Sequence, residues 1–479
     1  MNSTVFIAVD RLRLALLAAV VALAACAVGP DYRRPAAAAP PAYKEAPASG
    51  ATWFPAVPAD ALDRGQWWTL FDDADLSALV RQVEVSNQNV AAAVAAYAQA
   101  RTLVREQRAG FFPALALDGS ADRSGSLGSQ GVTANRFQLG VDASWAPDVW
   151  GRLGRAVEGA QASAQASAGD LAAARLSAQG QLATDYFALR DADAEIALLR
   201  ATVEAYERAA KITSNRYAAG IAAKTDVLQA QTQLASTRAD LSTLQGQRAQ
   251  LEHAIAVLQG KAPGEFSLAP APWKMNVPLV PVGMPSELLQ RRPDIAAAER
   301  RVAAANAQIG VQAAGYYPSL TLSASLGGAS TSVGQLFRAS NSLWSLGASV
   351  AQTLFDAGAT RARVEGAEAA RDQAVAQYRQ TVLLAFQAVE DQLAQTRALA
   401  DQTSLRLQAS QAADETEQLL LNRYAQGQVA YTDVVTAQAT ALGARRTLAQ
   451  LASSRQASAI ALIQALGGGW HADAGPPAR

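Results

Sequence analysis

Two long stretches without proline set the limits on what this chain can fold into. No proline lies between Pro147 and Pro263, and none between Pro318 and Pro476, whereas prolines crowd residues 30–58 and 263–293. A proline inside a helix removes a backbone hydrogen bond and clashes with the preceding turn, at about 3 kcal/mol. The two clear stretches can therefore run as helices of unusual length, and the crowded ones read as an extended arm and an irregular connector. Within them the spacing predicts long helices over 152–218 and 359–425. Val375, Tyr378, Val382, Phe386, Val389 and Leu393 step by three and four, as a coiled-coil seam requires. At 1.5 Å per residue each run is roughly 100 Å long. A glycine then turns the chain into a return helix, 223–260 in one case and 430–467 in the other.

The two stretches are copies of each other. Arg216-Tyr217-Ala218-Ala219-Gly220 answers Arg423-Tyr424-Ala425-Gln426-Gly427, and Thr225-Asp226-Val227 answers Thr432-Asp433-Val434. Val157-Glu158-Gly159-Ala160 answers Val364-Glu365-Gly366-Ala367, and Gly110-Phe111-Phe112-Pro113 answers Gly315-Tyr316-Tyr317-Pro318. So many matches in one order mean duplication.

Ahead of each long helix lie two segments of strict alternation, the mark of strands whose two faces meet different surroundings. Phe137, Leu139, Val141, Ala143 and Trp145 alternate with Gln138, Gly140, Asp142 and Ser144, and Leu115 and Leu117 with Ala116 and Asp118. In the second copy Leu320, Leu322, Ala324 and Leu326 alternate with Ser319, Thr321, Ser323 and Ser325, and Trp344, Leu346, Ala348 and Val350 continue the pattern. Gly/Ser-rich loops at 125–131 and 327–334 join each pair, giving β-hairpins over 112–147 and 318–355. The first repeat thus occupies 74–260 and the second 286–467, each entered by a helix (74–110 and 286–315) and joined by a connector over 261–285. A tail over 468–479 follows.

The N-terminal segment has the layout of a secretory signal over 1–25, with Arg11 and Arg13 ahead of an apolar run from Leu14 to Ala25. Leu23-Ala24-Ala25-Cys26 resembles the lipobox of bacterial lipoproteins, so Cys26, the single cysteine, is read as the lipidated first residue of an arm over 26–73. Ala27 is not the aspartate that retains such lipoproteins in the inner membrane. One thiol allows no intrachain disulfide. With 41 basic and 41 acidic residues the chain has no bias toward nucleic acid. Its hydrophobic content is 50% but only 6% aromatic, so the apolar surface is mostly small side chains suited to close helix packing. Two histidines, His253 in a helix and His471 in the tail, form no metal or general-base cluster. No cofactor and no catalysis are expected, the covalent lipid on Cys26 aside.

Several motifs together carry a family resemblance: Gly29-Pro30-Asp31-Tyr32-Arg33-Arg34-Pro35, Trp67-Trp68-Thr69-Leu70-Phe71 with Asp75-Leu76, Arg292-Pro293-Asp294-Ile295 with Ala298-Glu299, and the two Arg-Tyr-x-x-Gly turns. From Cys26 to Gly467 the chain resembles the outer-membrane factors, the TolC-like channels of tripartite efflux and type I secretion, in their lipoprotein branch. The resemblance implies a mixed α and β membrane protein. It would be a homotrimer whose four strands per protomer complete a twelve-stranded barrel in outer-membrane lipid, continuous with a periplasmic α-helical barrel. It implies passive export of small molecules, with a periplasmic adaptor and an inner-membrane resistance-nodulation-division pump as partners. Arg216, Tyr217, Gly220, Arg423, Tyr424 and Gly427 would be adaptor-contact turns at the periplasmic mouth, and Tyr424, Asp433 and Thr436 would line a constriction. Where family members often place a second aspartate, this chain has Thr436. Two bland readings stand beside these: the glycines simply reverse the chain, and Asp433, like Asp226, sits at a helix start where the dipole favours a carboxylate. The competing architectures are a periplasmic adaptor, which would show lipoyl-like domains and one hairpin, and a structural trimeric coiled coil, which would lack the paired β-hairpins.

Overall fold

A computed structural model describes residues 28–37, 39–45, 64–125, 133–278, 280 and 291–468. The signal segment, Cys26, the first hairpin loop beyond Gly125, the end of the connector and the tail from residue 469 lie outside the described residues. The elements in chain order are α1 (Ala74–Ser86), α2 (Gln88–Ala109), β1 (Ala114–Gly125), β2 (Thr133–Trp145), α3 (Arg152–Ala218) and α4 (Lys224–Leu258) in the first repeat. The second repeat holds α5 (Pro293–Ala313), β3 (Ser319–Ser330), β4 (Ser342–Ala351), α6 (Ala359–Ala425) and α7 (Tyr431–Ala465). Both α3 and α6 are 67 residues long, and both α4 and α7 are 35.

The described residues divide into two compact units. One holds the arm up to Ala36 with Ala96–Ala168 and Ala297–Arg379. Its centre is a four-stranded sheet in the order β1-β2-β3-β4, antiparallel throughout. The central pairing, β2 with β3, joins the two repeats. Its register sets Val141 opposite Leu326 and Trp145 opposite Leu322, while β3 sets Leu320 opposite Val350 and Leu326 opposite Trp344. One face is therefore apolar across all four strands. The other carries Asp118, Ser120, Gln138, Asp142, Thr321, Ser323, Ser325 and Ser345, with a hydroxyl pair between Ser325 and Ser345 at 2.8 Å. A one-residue slip would exchange the faces, so the alternation fixes the register.

The predicted loop over 327–334 is corrected here, because β3 continues to Ser330 and pairs Gly327 with Leu343 and Gly328 with Ser342. These glycines belong to the strand: a Cβ on Gly327 would lie 2.7 Å from the Gly140 Cα, and only glycine permits so close an approach. In the same unit the arm is stapled to α3 and α5. Arg155 donates to the Val28 and Gly29 carbonyls and pairs with Asp31 at 2.9 Å; Asn306 donates to the Pro30 carbonyl at 2.8 Å; Tyr32 donates to Glu299.

The other unit holds Ala37–Ala95, Gly169–Ala296 and the chain from Gln380. Its helices pack through a seam in which Ala192, Ile196 and Leu199 of α3 meet Leu244 of α4 and Leu442 of α7. A second cluster seats Tyr43 of the arm among Val389, Leu393, Leu462 and Ala465. The Trp67-Trp68-Phe71 turn is buried beside Tyr186 and Phe187, and Trp67 donates to Gln179 at 3.2 Å. The connector is held by side-chain amides and ion pairs. Gln456 donates to the Lys274 and Asn276 carbonyls and accepts from Trp273, while Arg190, buried, pairs with Asp193 and donates to the Ala269 carbonyl.

The entering helix predicted over 74–110 is corrected as well. It breaks at Asn87, whose backbone is extended (φ −67°, ψ 124°). Its side-chain oxygen accepts from the Asn89 and Val90 amides that open α2, and its amide donates to the Leu258 carbonyl at 2.9 Å. One side chain thus caps a starting helix and a finishing one, which supplies the backbone partners that periodicity ignores. In the second repeat Arg292 is non-helical ahead of Pro293 and donates to the Ala465 carbonyl at 2.9 Å, while holding Asp294 at 2.7 Å. There α5 spans Pro293–Ala313 and ends in a 3-10 turn, Ala314–Tyr316, in place of the single run predicted to 315.

Candidate functional site

The two Arg-Tyr-x-x-Gly turns share one backbone device. Gly220 and Gly427 have φ of +73° and +72°, the left-handed conformation that ends a helix at low cost only for glycine. The Ile221 amide donates to the Arg216 carbonyl at 2.8 Å, and the Gln428 amide to the Arg423 carbonyl at 2.9 Å. These are the long bonds of a helix-terminating motif, so each arginine serves the turn through its main chain. Neither glycine has an atom within 4 Å of a built Cβ. Conformation, not crowding, requires them.

Their side chains part company. Tyr217 is 45% exposed, and Ile221 is exposed beside it. Tyr424, its counterpart, is half-buried, with its ring 5.2 Å from the buried Tyr431 and the Arg216 guanidinium 4.8 Å above it. Tyr431 packs with Ala230 and Val434 and holds the two repeats together here. Burial, and next the neighbouring Tyr424, raise the Tyr431 phenol above its usual range. Its counterpart at the start of α4 is Lys224, exposed, so the aromatic bridge runs one way only. The turn motif includes Arg216 and Tyr424 but does not encode their stacking or the part played by Tyr431; the one signal for it in the sequence is the seven-residue step between the two tyrosines.

Asp433 and Thr436 lie on the exposed side of α7. The Thr436 hydroxyl donates back to the Thr432 carbonyl at 2.9 Å, so it is committed to its own helix. The N-cap positions, Ala223 and Ala430, make no side-chain cap bond, and Asp226 and Asp433 sit in the first turn. Arg423 is exposed as well. Among the described residues no group of three or more His, Cys, Asp or Glu is placed to hold a metal ion.

Among the described residues much of the sheet's apolar face is exposed, with Trp344 and Leu346 each 79% exposed. No helix among the described residues is long and apolar enough to cross a membrane. Among the described residues the outer edges of β1 and β4 pair with no further strand.

The family model described as outer membrane efflux protein matches residues 79–261 and 284–468. The chain is 30% identical over 453 residues to the cation efflux system protein CusC of Escherichia coli O6:H1, covering 94% of this chain and 97% of that one. It is 30% identical over 471 residues to the pyoverdine export outer membrane protein OpmQ of Pseudomonas aeruginosa, covering 96% and 97%. Among solved structures it is similar to the outer-membrane channel OprN, with a TM-score of 0.82 and 31% identity over 93% of this chain and all of that one.

Proposed function

The chain belongs to the outer membrane efflux protein family, and on that premise we propose that it works as the outer-membrane duct of a tripartite export system, passing small molecules outward without chemistry of its own. The observation that carries this reading is the register of the sheet, which keeps one face apolar and the other polar over four strands while leaving two edges open. In hydrocarbon every backbone amide needs a partner, so such a sheet is stable in a bilayer only when its edges close on other strands. Three copies closing edge to edge make a twelve-stranded barrel, with Leu117, Val141, Leu326, Trp344 and Leu346 toward lipid and Asp118, Asp142 and the serines toward a wet lumen. The helices continue the duct into the periplasm as an α-helical barrel. Acylation of Cys26 anchors the arm to the same membrane.

In this reading the turns at Arg216–Gly220 and Arg423–Gly427 meet a periplasmic adaptor, which couples the duct to an inner-membrane pump of the resistance-nodulation-division class. The exposed Tyr217 and Ile221 give the first turn the more apolar contact surface. Tyr424, Asp433 and Thr436 border the mouth, and of these Asp433 is the group whose charge acts on passing ions. Relatives named for cation efflux and for pyoverdine export are each 30% identical over nearly the whole chain, which favours a cargo chosen elsewhere in the assembly.

Purified protein in mild detergent should migrate as a heat-modifiable trimer and conduct in planar bilayers. A monomer whose strands face water would overturn the duct. Asp433→Ala should raise single-channel conductance or weaken cation preference, and unchanged traces would remove Asp433 from the mouth.

A further inference from the structure

Where α3 of the first repeat crosses α7 of the second, a half-buried carboxylate has one oxygen shut away from water with no hydrogen-bond partner. We propose that this crossing is a proton-operated clamp, in which protonated Asp191 holds the two repeats together and ionised Asp191 loosens them.

The Asp191 Oδ1 is buried with no hydrogen-bond partner. One helical turn further on, Glu195 is buried too, but it is fully engaged: Arg446 Nε donates to it at 3.0 Å and Gln450 Nε2 at 2.9 Å, both from α7. Arg446 also lies 3.8 Å from Asp240 of α4. Two carboxylates, one from α3 and one from α4, thus share the Arg446 guanidinium, which makes no ion pair with Asp191. Asp193, two residues on, turns to Arg190 and Arg248 and offers no relief. The remaining group acting on Asp191 is Ser453 of α7, a hydroxyl donor.

A charged oxygen removed from water without a donor is costly, and a second negative charge one turn away adds to that cost. Burial first, then Glu195, outweigh the Ser453 hydrogen bond and push the Asp191 carboxyl up to about 6. The sign follows from linkage. An acid whose folded pKa is raised contributes stability that is complete below its ordinary value, roughly 4, and that is lost as pH rises through the folded value. Mild acid therefore tightens the crossing and neutral pH relaxes it, in a window that runs from the ordinary carboxyl value, roughly 4, up to about 6. The same hydrophobic seam, Ala192, Ile196, Leu199, Leu244 and Leu442, holds the helices in register in either state, so the protein stays folded while local opening changes.

Amide hydrogen exchange on the intact protein in detergent, at pH 5.0 and 7.5 and corrected for intrinsic rates, tests the clamp. Peptides covering 188–198 and 444–456 should lose at least about fivefold in protection at the higher pH, within the roughly tenfold that remains between these two pH values for a carboxyl shifted by about two units. In Asp191→Asn the protection should stay at its acid value at both pH values. Ser453→Ala, which removes a donor to the ionised form, should move the transition to higher pH. Equal protection of the parent protein at both pH values, a pH response that survives Asp191→Asn, or no shift with Ser453→Ala would each overturn the proposal.

Discussion

The turn after α3 and the turn after α6 have the same left-handed glycine, the same long amide bond to an arginine carbonyl, and opposite side-chain fates. Tyr217 stands in solvent, while Tyr424 is covered by Arg216 and packed on Tyr431. The difference teaches that duplication preserved the backbone device and left the side chains free to specialise. The second turn serves cohesion between the repeats, and the first is left exposed. The same divergence recurs at the other ends of the return helices. In the first repeat an uncharged asparagine closes the junction with α4; in the second an arginine closes it with α7.

That contrast can be broken at three levels. The largest effect is expected at the junctions. Asn87→Ala leaves the Leu258 carbonyl and the first amides of α2 without partners and should cost about 2 kcal/mol of local stability, against about 1 for Arg292→Ala, which frees the single Ala465 carbonyl. Hydrogen exchange at the ends of α4 and α7 measures both, and equal losses would mean that the two caps are interchangeable. Next come the tyrosines. Tyr424→Ala should cost about 1.5 kcal/mol, because it removes a half-buried ring, its contact with Tyr431 and its cation–π partner, whereas Tyr217→Ala should stay within about 0.5. A matching loss at both would erase the asymmetry between the turns. The smallest contrast is expected at the glycines: Gly220→Ala and Gly427→Ala should each cost about 1 kcal/mol, and equally, since both suffer left-handed strain without crowding. Unequal thermal shifts would show that one turn is held by something beyond its backbone.

Legibility in the sequence followed the physics of each feature. The long helices and the strand faces could be read because each rests on a repeated local rule: absence of proline over a span, and alternation at period two. The length of β3 could not, since Gly327 reads as a loop residue until Gly140 is known to lie against it. The break at Asn87 was hidden for a related reason. No proline or glycine marks it, and the carbonyl that rewards the break belongs to Leu258, far along the chain. Among the site residues, the glycines follow from the repeated turn motif and the arginines from the family resemblance, but the burial of Tyr424 beneath Arg216 depends on a contact between repeats that neither encodes.

Alone, the sequence determined the periodic properties of this protein: two copies of one plan, helices too long for a globular core, and strands with one apolar and one polar face. It could do so because helix and strand periods are set by local backbone geometry, which each residue meets within a few neighbours. The tertiary structure decided which repeated residues keep equivalent roles, where helices break, and which carboxylate is stranded between them. Those outcomes depend on burial and on the reach of distant donors and acceptors, and a side chain acquires them only when another part of the chain arrives beside it.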